Sequence, residues 1–395
     1  MQFFRSTLIL LLLAAAAPGQ KHSPLAPKPQ WSSLEKFQRT ITEEDFRYLL
    51  TEIYAPRGAS EKYFKLEENY VLVETAPGRP AFRLDFAEDR ADAEPIPRYW
   101  SKKDSLKGLK LAIDPGHLGG EWAKMEERWF QIGKNKPVAE GDMTLLTARR
   151  LKKELERRGA KVSLLRHNDK PATSLRPEKL KKAAAASLRQ RGRTVNSTRL
   201  RLESNRLFYR TAEIRARAKN VNKKIQPDLV LALHFNAEGW GNPARPSLVK
   251  SNHLHLLVSG CYSAEELSYE DQRHNLMVKL LNRSFAEEID ISQDIARAMA
   301  QATGLPPFDY RANPAAIAVG NSPYIWARNL LANRLFECPV IYLEPYVMNS
   351  HEVHQRLQAG DYRGSRKING ISRKSIYREY VDGVVDGLVS YYGKN

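Results

Sequence analysis

"LKLAIDPGHLGG" (residues 109–120) starts with apolar residues at alternate positions and then breaks into Asp-Pro-Gly-His followed by two more glycines. Leu109, Leu111 and Ile113 predict a short, largely buried strand, which Pro115-Gly116 stops. His117 is therefore expected at the strand's C-terminal mouth, where open α/β sheets carry their chemistry. A single histidine in a turn is most often a structural hydrogen-bonder. Its meaning depends on what the rest of the chain brings to it.

From Leu109 onward apolar strand runs alternate with helical patterns. Strand candidates are 109–114, 160–166, 228–235, 253–259 and 339–344. Between the first two, Thr144, Ala148, Leu151 and Leu155 form a helical stripe closed by Gly159. A helix with Ile291, Ile295 and Met299 on its core face is expected within 274–304, and a last one over 374–392 with Val381, Val384, Val385 and Leu388 inside. The predicted fold is α/β: a twisted, mainly parallel sheet with helices on both faces, preceded by a small α+β N-terminal unit. In that unit "WSSLEKFQRTITEEDFRYLLTEIY" reads as helix with Thr42 as a cap, and "YVLVETAPGRPAFRLDF" as a hairpin.

The chain has 395 residues, enough for one large domain or two smaller ones. Residues 1–20, with Arg5 ahead of an apolar run from Leu8 to Ala17 and small residues before Gln20, read as a secretory signal. The run falls short of the roughly 20 residues needed to span a bilayer. Residues 21–105 read as a Pro-rich linker and a small accessory unit, and 106–395 as the main α/β domain. A basic insertion at about 176–207 is expected to be an exposed helical excursion. No later stretch is apolar enough to span, so no membrane span is expected in the mature chain. The net charge of +18 points to an anionic partner, wall polymer or lipid headgroups ahead of nucleic acid, because no aromatic-studded motif accompanies it. Two cysteines, Cys261 and Cys338, are too few for a disulfide framework and read as buried thiols.

The partners for His117 stand at matching places. "KPVAEGDMTLL" puts Glu140 directly ahead of a helix, and "PDLVLALHFNA" puts His234 at the end of an apolar strand. Two histidines and a carboxylate with one open position make a catalytic zinc site, since zinc binds nitrogen and carboxylate oxygen tetrahedrally and leaves a corner for water. Amide hydrolysis also needs a proton shuttle. In "CPVIYLEPYVMNS" Glu344 ends a buried strand, a costly place for a carboxylate without a task. Other candidates are weaker. His253 and His255 share a strand face, and "HEVHQ" (351–355) has Gln355 where a His-Glu-x-x-His motif needs histidine.

"IDPGH", "AEGDMTLLTARRLKKELERRGAKVSLLR", "EIRARAKNVNKKIQPDLVLALHFNA" and "CPVIYLEPYVMN", in this order, resemble the motifs of the zinc-dependent N-acetylmuramoyl-L-alanine amidases of bacterial cell walls. The resemblance spans about residues 108–395 apart from the insertion. It implies cleavage of the amide between the lactyl group of N-acetylmuramic acid and the first L-alanine of the stem peptide. It also implies one Zn²⁺ per catalytic domain held by His117, Glu140 and His234, and a catalytic Glu344. Peptidoglycan is the implied partner, with room for an activating or localising protein, and the implied location is exported, in the periplasm or at the wall. Leu118 interrupts the family's His-Gly-Gly run, and Pro345-Tyr346 replaces its glycine and phenylalanine after the glutamate. Rival readings are a zinc peptidase acting within the stem peptide and a wall-binding protein that has lost catalysis.

Overall fold

The computed structural model describes residues 22–90, 106–242 and 244–393. The signal segment and the boundary near residue 105 lie outside these. In the N-terminal unit a 3₁₀ turn, Trp31–Phe37, precedes helix α1, Glu43–Tyr48, which continues as a wider turn to Tyr54. The single helix expected over 31–54 is thus interrupted, with Arg39 in the left-handed region at φ 58°. Thr42 caps α1 as expected, its hydroxyl accepting from Asp45 N at 3.2 Å. The expected hairpin is present as β2, Tyr70–Val73, and β3, Phe82–Asp85; β1, Phe64–Leu66, adds a third antiparallel strand. Leu34, Phe46, Tyr54, Val71 and Leu84 belong to the same apolar core as Leu256, Val258 and Leu276 of the main body.

The main sheet has seven strands: β4 (Lys110–Pro115), β5 (Lys161–Leu164), β6 (Leu229–Leu233), β7 (Leu254–Val258), β8 (Ala316–Ala318), β9 (Ile325–Arg328) and β10 (Val340–Pro345). Their order is β8-β9-β7-β10-β6-β4-β5. The β4–β5, β4–β6, β6–β10 and β7–β9 pairs are parallel, while β10–β7 and β8–β9 are antiparallel. The sheet is mainly parallel, as expected; β8 and β9 were not anticipated.

Alternation along the central strands supplies both faces. Leu111, Ile113, Leu229 and Leu231 point into one core with helix α2, Glu140–Arg157. Ala112, Val230 and Val340 point into another, with Ala218, Val221 and Phe336. The region 270–303 forms two helices, α6 (Glu270–Leu281) and α7 (Ser284–Thr303), broken at Arg283, which sits at φ 51°. The last helix, α8, is Ile376–Tyr392, and it buries the expected valines and Leu388. Among the described residues no helix is long and apolar enough to cross a membrane. Both cysteines are buried free thiols.

The insertion forms helices α3 (Lys181–Gln190) and α4 (Ser197–Arg206), then runs through a wide turn into α5, Glu213–Asn220. It is helical, as expected, but not wholly exposed. Leu180, Ala184, Leu207 and Phe208 make a small core whose other member from the sheet side is Leu118. Leu118 is therefore a buried contact, one residue from His117, on which the insertion packs.

Candidate active site

β4 ends at Pro115, and the chain turns sharply to present His117 with φ 59°. The turn has no slack. A Cβ on Gly116 would lie 2.2 Å from His234 Cε1, so this position is closed to any side chain. Arg217 of α5 braces it, donating to Asp114 Oδ1 at 2.7 Å, to the Pro115 carbonyl at 3.0 Å and to the His117 carbonyl at 3.1 Å. Thr144 of α2 donates to the Gly116 carbonyl at 2.7 Å.

Glu140 is the first residue of α2, where the helix dipole favours a carboxylate. Its Oε1 lies 2.9 Å from His234 Nδ1, and its Oε2 lies 3.3 Å from both His117 Nε2 and Arg128 Nε. Burial alone would raise the Glu140 carboxyl, but His117, His234 and Arg128 outweigh it and hold it at about 2. His234 follows β6 and stacks on Tyr342 of β10, with ring centroids 4.2 Å apart. Burial would lower its imidazole; the bond to Glu140 and the charges of Glu344 and Glu140 raise it instead.

His117, Glu140 and His234 each offer one ligand atom, all within 4.8 Å of one another. Two imidazole nitrogens and one ionised carboxylate oxygen are the donor set that zinc takes, and the cluster opens onto a cleft of about 610 Å³. The residues fit the metal on their chemistry and their spacing.

The sequence of residues 111–373 matches the family described as N-acetylmuramoyl-L-alanine amidase. The chain belongs to this family. No curated sequence matches it. Among solved structures, the N-acetylmuramyl-L-alanine amidase Ami1 of Mycobacterium smegmatis is 16% identical, with 74% of this chain and 100% of that chain covered and a TM-score of 0.40. The N-acetylmuramoyl-L-alanine amidase AmiC2 of Nostoc punctiforme is 14% identical, with 73% and 99% covered and a TM-score of 0.38. The CwlD amidase of Clostridioides difficile, solved in complex with the GerS lipoprotein, is 13% identical, with 71% and 96% covered and a TM-score of 0.39. Membership rests on the sequence match, and it makes the chain an enzyme of the peptidoglycan amidase class.

In this amidase Glu344 of β10 lines the same cleft as His117, Glu140 and His234. Burial and the Glu140 charge push its carboxyl up to about 7, against the pull of His234, Arg128 and Arg328. The Pro345-Tyr346 departure does not remove Glu344 from the cleft. Tyr346 takes the left-handed conformation, φ 62°, and is locked there by its hydroxyl, which donates to Glu379 Oε1 at 2.7 Å, and by Arg356 at 2.9 Å from the same oxygen.

Sequence reasoning missed Glu126. This carboxylate, 2% exposed, accepts from Leu118 N at 2.8 Å and from Gly119 N at 3.3 Å, and lies 3.6 Å from His117 Nδ1. It is placed to fix the His117 ring, as outer partners of ligand histidines do. Burial would raise its carboxyl, but His117 and the two backbone amides lower it. "MEERWF" carries no signal for this role. Arg217 was detectable: Glu213 and Arg217 stand four apart on a helix, and a buried strand-end Asp114 requires a cation. His253, His255 and His354 do not line the cleft, although His255 stands directly across from Glu344 in the β10–β7 pair. His255 meets the Tyr310 hydroxyl at 3.0 Å and burial pushes it down to about 3; His253 lies 3.5 Å from Glu238. On its helix, His354 contacts Gln358 at 3.3 Å.

Proposed function

We propose that the chain is a zinc-dependent amidase that hydrolyses the bond between N-acetylmuramic acid and the stem peptide's L-alanine, exported through residues 1–20 and acting in wall remodelling or cell separation. The observation that carries this reading is the convergence of His117, Glu140 and His234 within 4.8 Å in a cleft that also holds Glu344. Zinc, when bound, lowers the pKa of a water towards neutrality and polarises the scissile carbonyl. His117, Glu140 and His234 would hold it, with Glu126 and Arg217 keeping His117 in place. Glu344 accepts the proton of the attacking water on a carboxylate oxygen and returns it to the leaving nitrogen of L-alanine. The catalytic body then comprises residues 106–395 and the unit before it is an accessory one.

A chelator is expected to abolish release of stem peptides from purified wall, and added zinc to restore it. Mass spectrometry should find peptides with a free N-terminal L-alanine and intact glycan strands. Activity that survives in thoroughly metal-free protein would refute the zinc reading, and cuts inside the stem peptide would favour the peptidase.

A further inference from the structure

The cleft extends beyond the three candidate ligands to a second centre of charge. Arg215 of α5 and Arg334, on the short helix Leu331–Leu335, line it beside Gln272 and Asn329. The Arg215 side chain is 13% exposed, and Asp271 beside it stands 3.6 Å from its Nη2, beyond hydrogen-bonding range. Asp271 Oδ1 accepts from Ser23 N at 2.7 Å, which leaves Oδ2 as the one carboxylate oxygen facing Arg215. Nε and Nη2 of Arg215 and Nε of Arg334 are buried and have no hydrogen-bond partner.

The uncharged neighbours are already engaged. Asn329 donates to Gln272 Oε1 at 3.0 Å and accepts from Arg334 Nη1 at 3.1 Å, while Gln272 donates to Ser23 Oγ at 3.3 Å. The wall is thus complete in its amides and incomplete in its guanidiniums. Burial pulls Arg215 down to about 10; Asp271 offsets part of this, and the Arg334 charge adds to it. Two adjoining cations face a single carboxylate, Asp271, and keep unclaimed donors, so the wall has room for one more anion, and the planar guanidinium fork matches a carboxylate best. A substrate cut at the head of its peptide must lay that peptide along the cleft, and stem peptides carry free carboxylates.

We propose that Arg215 and Arg334 form a subsite for a carboxylate of the stem peptide, in the same cleft as His117, Glu140 and His234. It rests on the reading of the chain as an amidase that cleaves stem peptides.

The test compares kcat/KM on muramoyl-peptides whose stem carboxylates are free with kcat/KM on the same peptides converted to amides, using the zinc-loaded full chain. Charged hydrogen bonds of this kind predict a preference for the free form on the order of 10- to 100-fold, read mainly in KM. In Arg334→Gln and Arg215→Lys that ratio should fall towards one for the first and partway for the second. Since Arg334 is already held by Asn329 and is not paired with Asp271, R334Q keeps the test alive even if Arg215 variants fold poorly. A wild-type ratio near one with both substrates turned over, or an unchanged ratio in R334Q, overturns the subsite and leaves the amidase reading standing. Failure of the wild type to cleave either substrate overturns both.

Discussion

Glu344→Gln is expected to lower turnover by roughly 10²- to 10⁴-fold, the usual contribution of a general acid–base group, while bound zinc stays at one equivalent. Glutamine preserves the volume and polarity of the side chain but cannot carry the proton. His234→Ala should behave differently and lose metal and activity together, because a three-ligand site has no ligand to spare. Metal analysis alongside kinetics separates the two. An E344Q enzyme of near-native rate would show that another group moves the proton.

The same carboxyl makes a prediction about pH. With Glu344 at about 7 in the folded metal-free protein and 4.5 as its ordinary value, the fold binds a proton more tightly than the unfolded chain does. Its contribution is therefore fully present below about pH 4.5 and is lost as pH rises through about 7, on the order of 3 kcal/mol in all. In metal-free protein, E344Q should flatten this fall in melting temperature between pH 4.5 and 7. A fall of equal size in both proteins would place the titration elsewhere. A divalent cation held by His117, Glu140 and His234 would lower the carboxyl from its metal-free value, so the acid limb of wild-type activity is expected below pH 7.

Arg217→Met should be the most damaging change outside the cluster. Arg217, with a side chain 3% exposed, stands between Asp114 and Glu213, whose side chains are 6% and 2% exposed. Removing it takes the cation from two buried carboxylates, of which Glu213 keeps only the amides of Ala172 and Thr173, and breaking a buried pair costs roughly 3–5 kcal/mol. It also frees the Pro115 and His117 carbonyls. Denaturant melts should show the loss, and zinc titration of the folded fraction should show weakened metal retention. A melt within about 0.5 kcal/mol of wild type, the range of an ordinary surface substitution, would show that the turn holds without this brace.

Much of this was legible because hydrophobic runs and strand ends are local signals. β4, β6 and β10 are nearly continuous apolar runs, and the three residues at or just beyond their ends, His117, His234 and Glu344, stand out against them. β8 and β9 were not legible: they are three- and four-residue strands in a Pro- and Asn-rich stretch, β8 pairs only with β9, and the pairing of β9 with β7 comes from tertiary contact. The break at Arg283 was hidden because an apolar stripe can carry on through a single left-handed residue. Glu126 was invisible for a further reason. Its importance lies in two backbone amides and one ring nitrogen, none of which its neighbours in sequence reveal.

The packing of Leu118 under Leu180, Ala184, Leu207 and Phe208 bears on how such enzymes can be recombined. A chimaera that trimmed the insertion to a plain turn would leave a large aliphatic side chain bare one residue from a metal-ligand candidate. One that placed glycine at 118 under the native insertion would open a hole beneath it. Residues 117–119 and the helices of the insertion therefore form one unit of exchange, to be engineered together, although some sixty residues of chain lie between them.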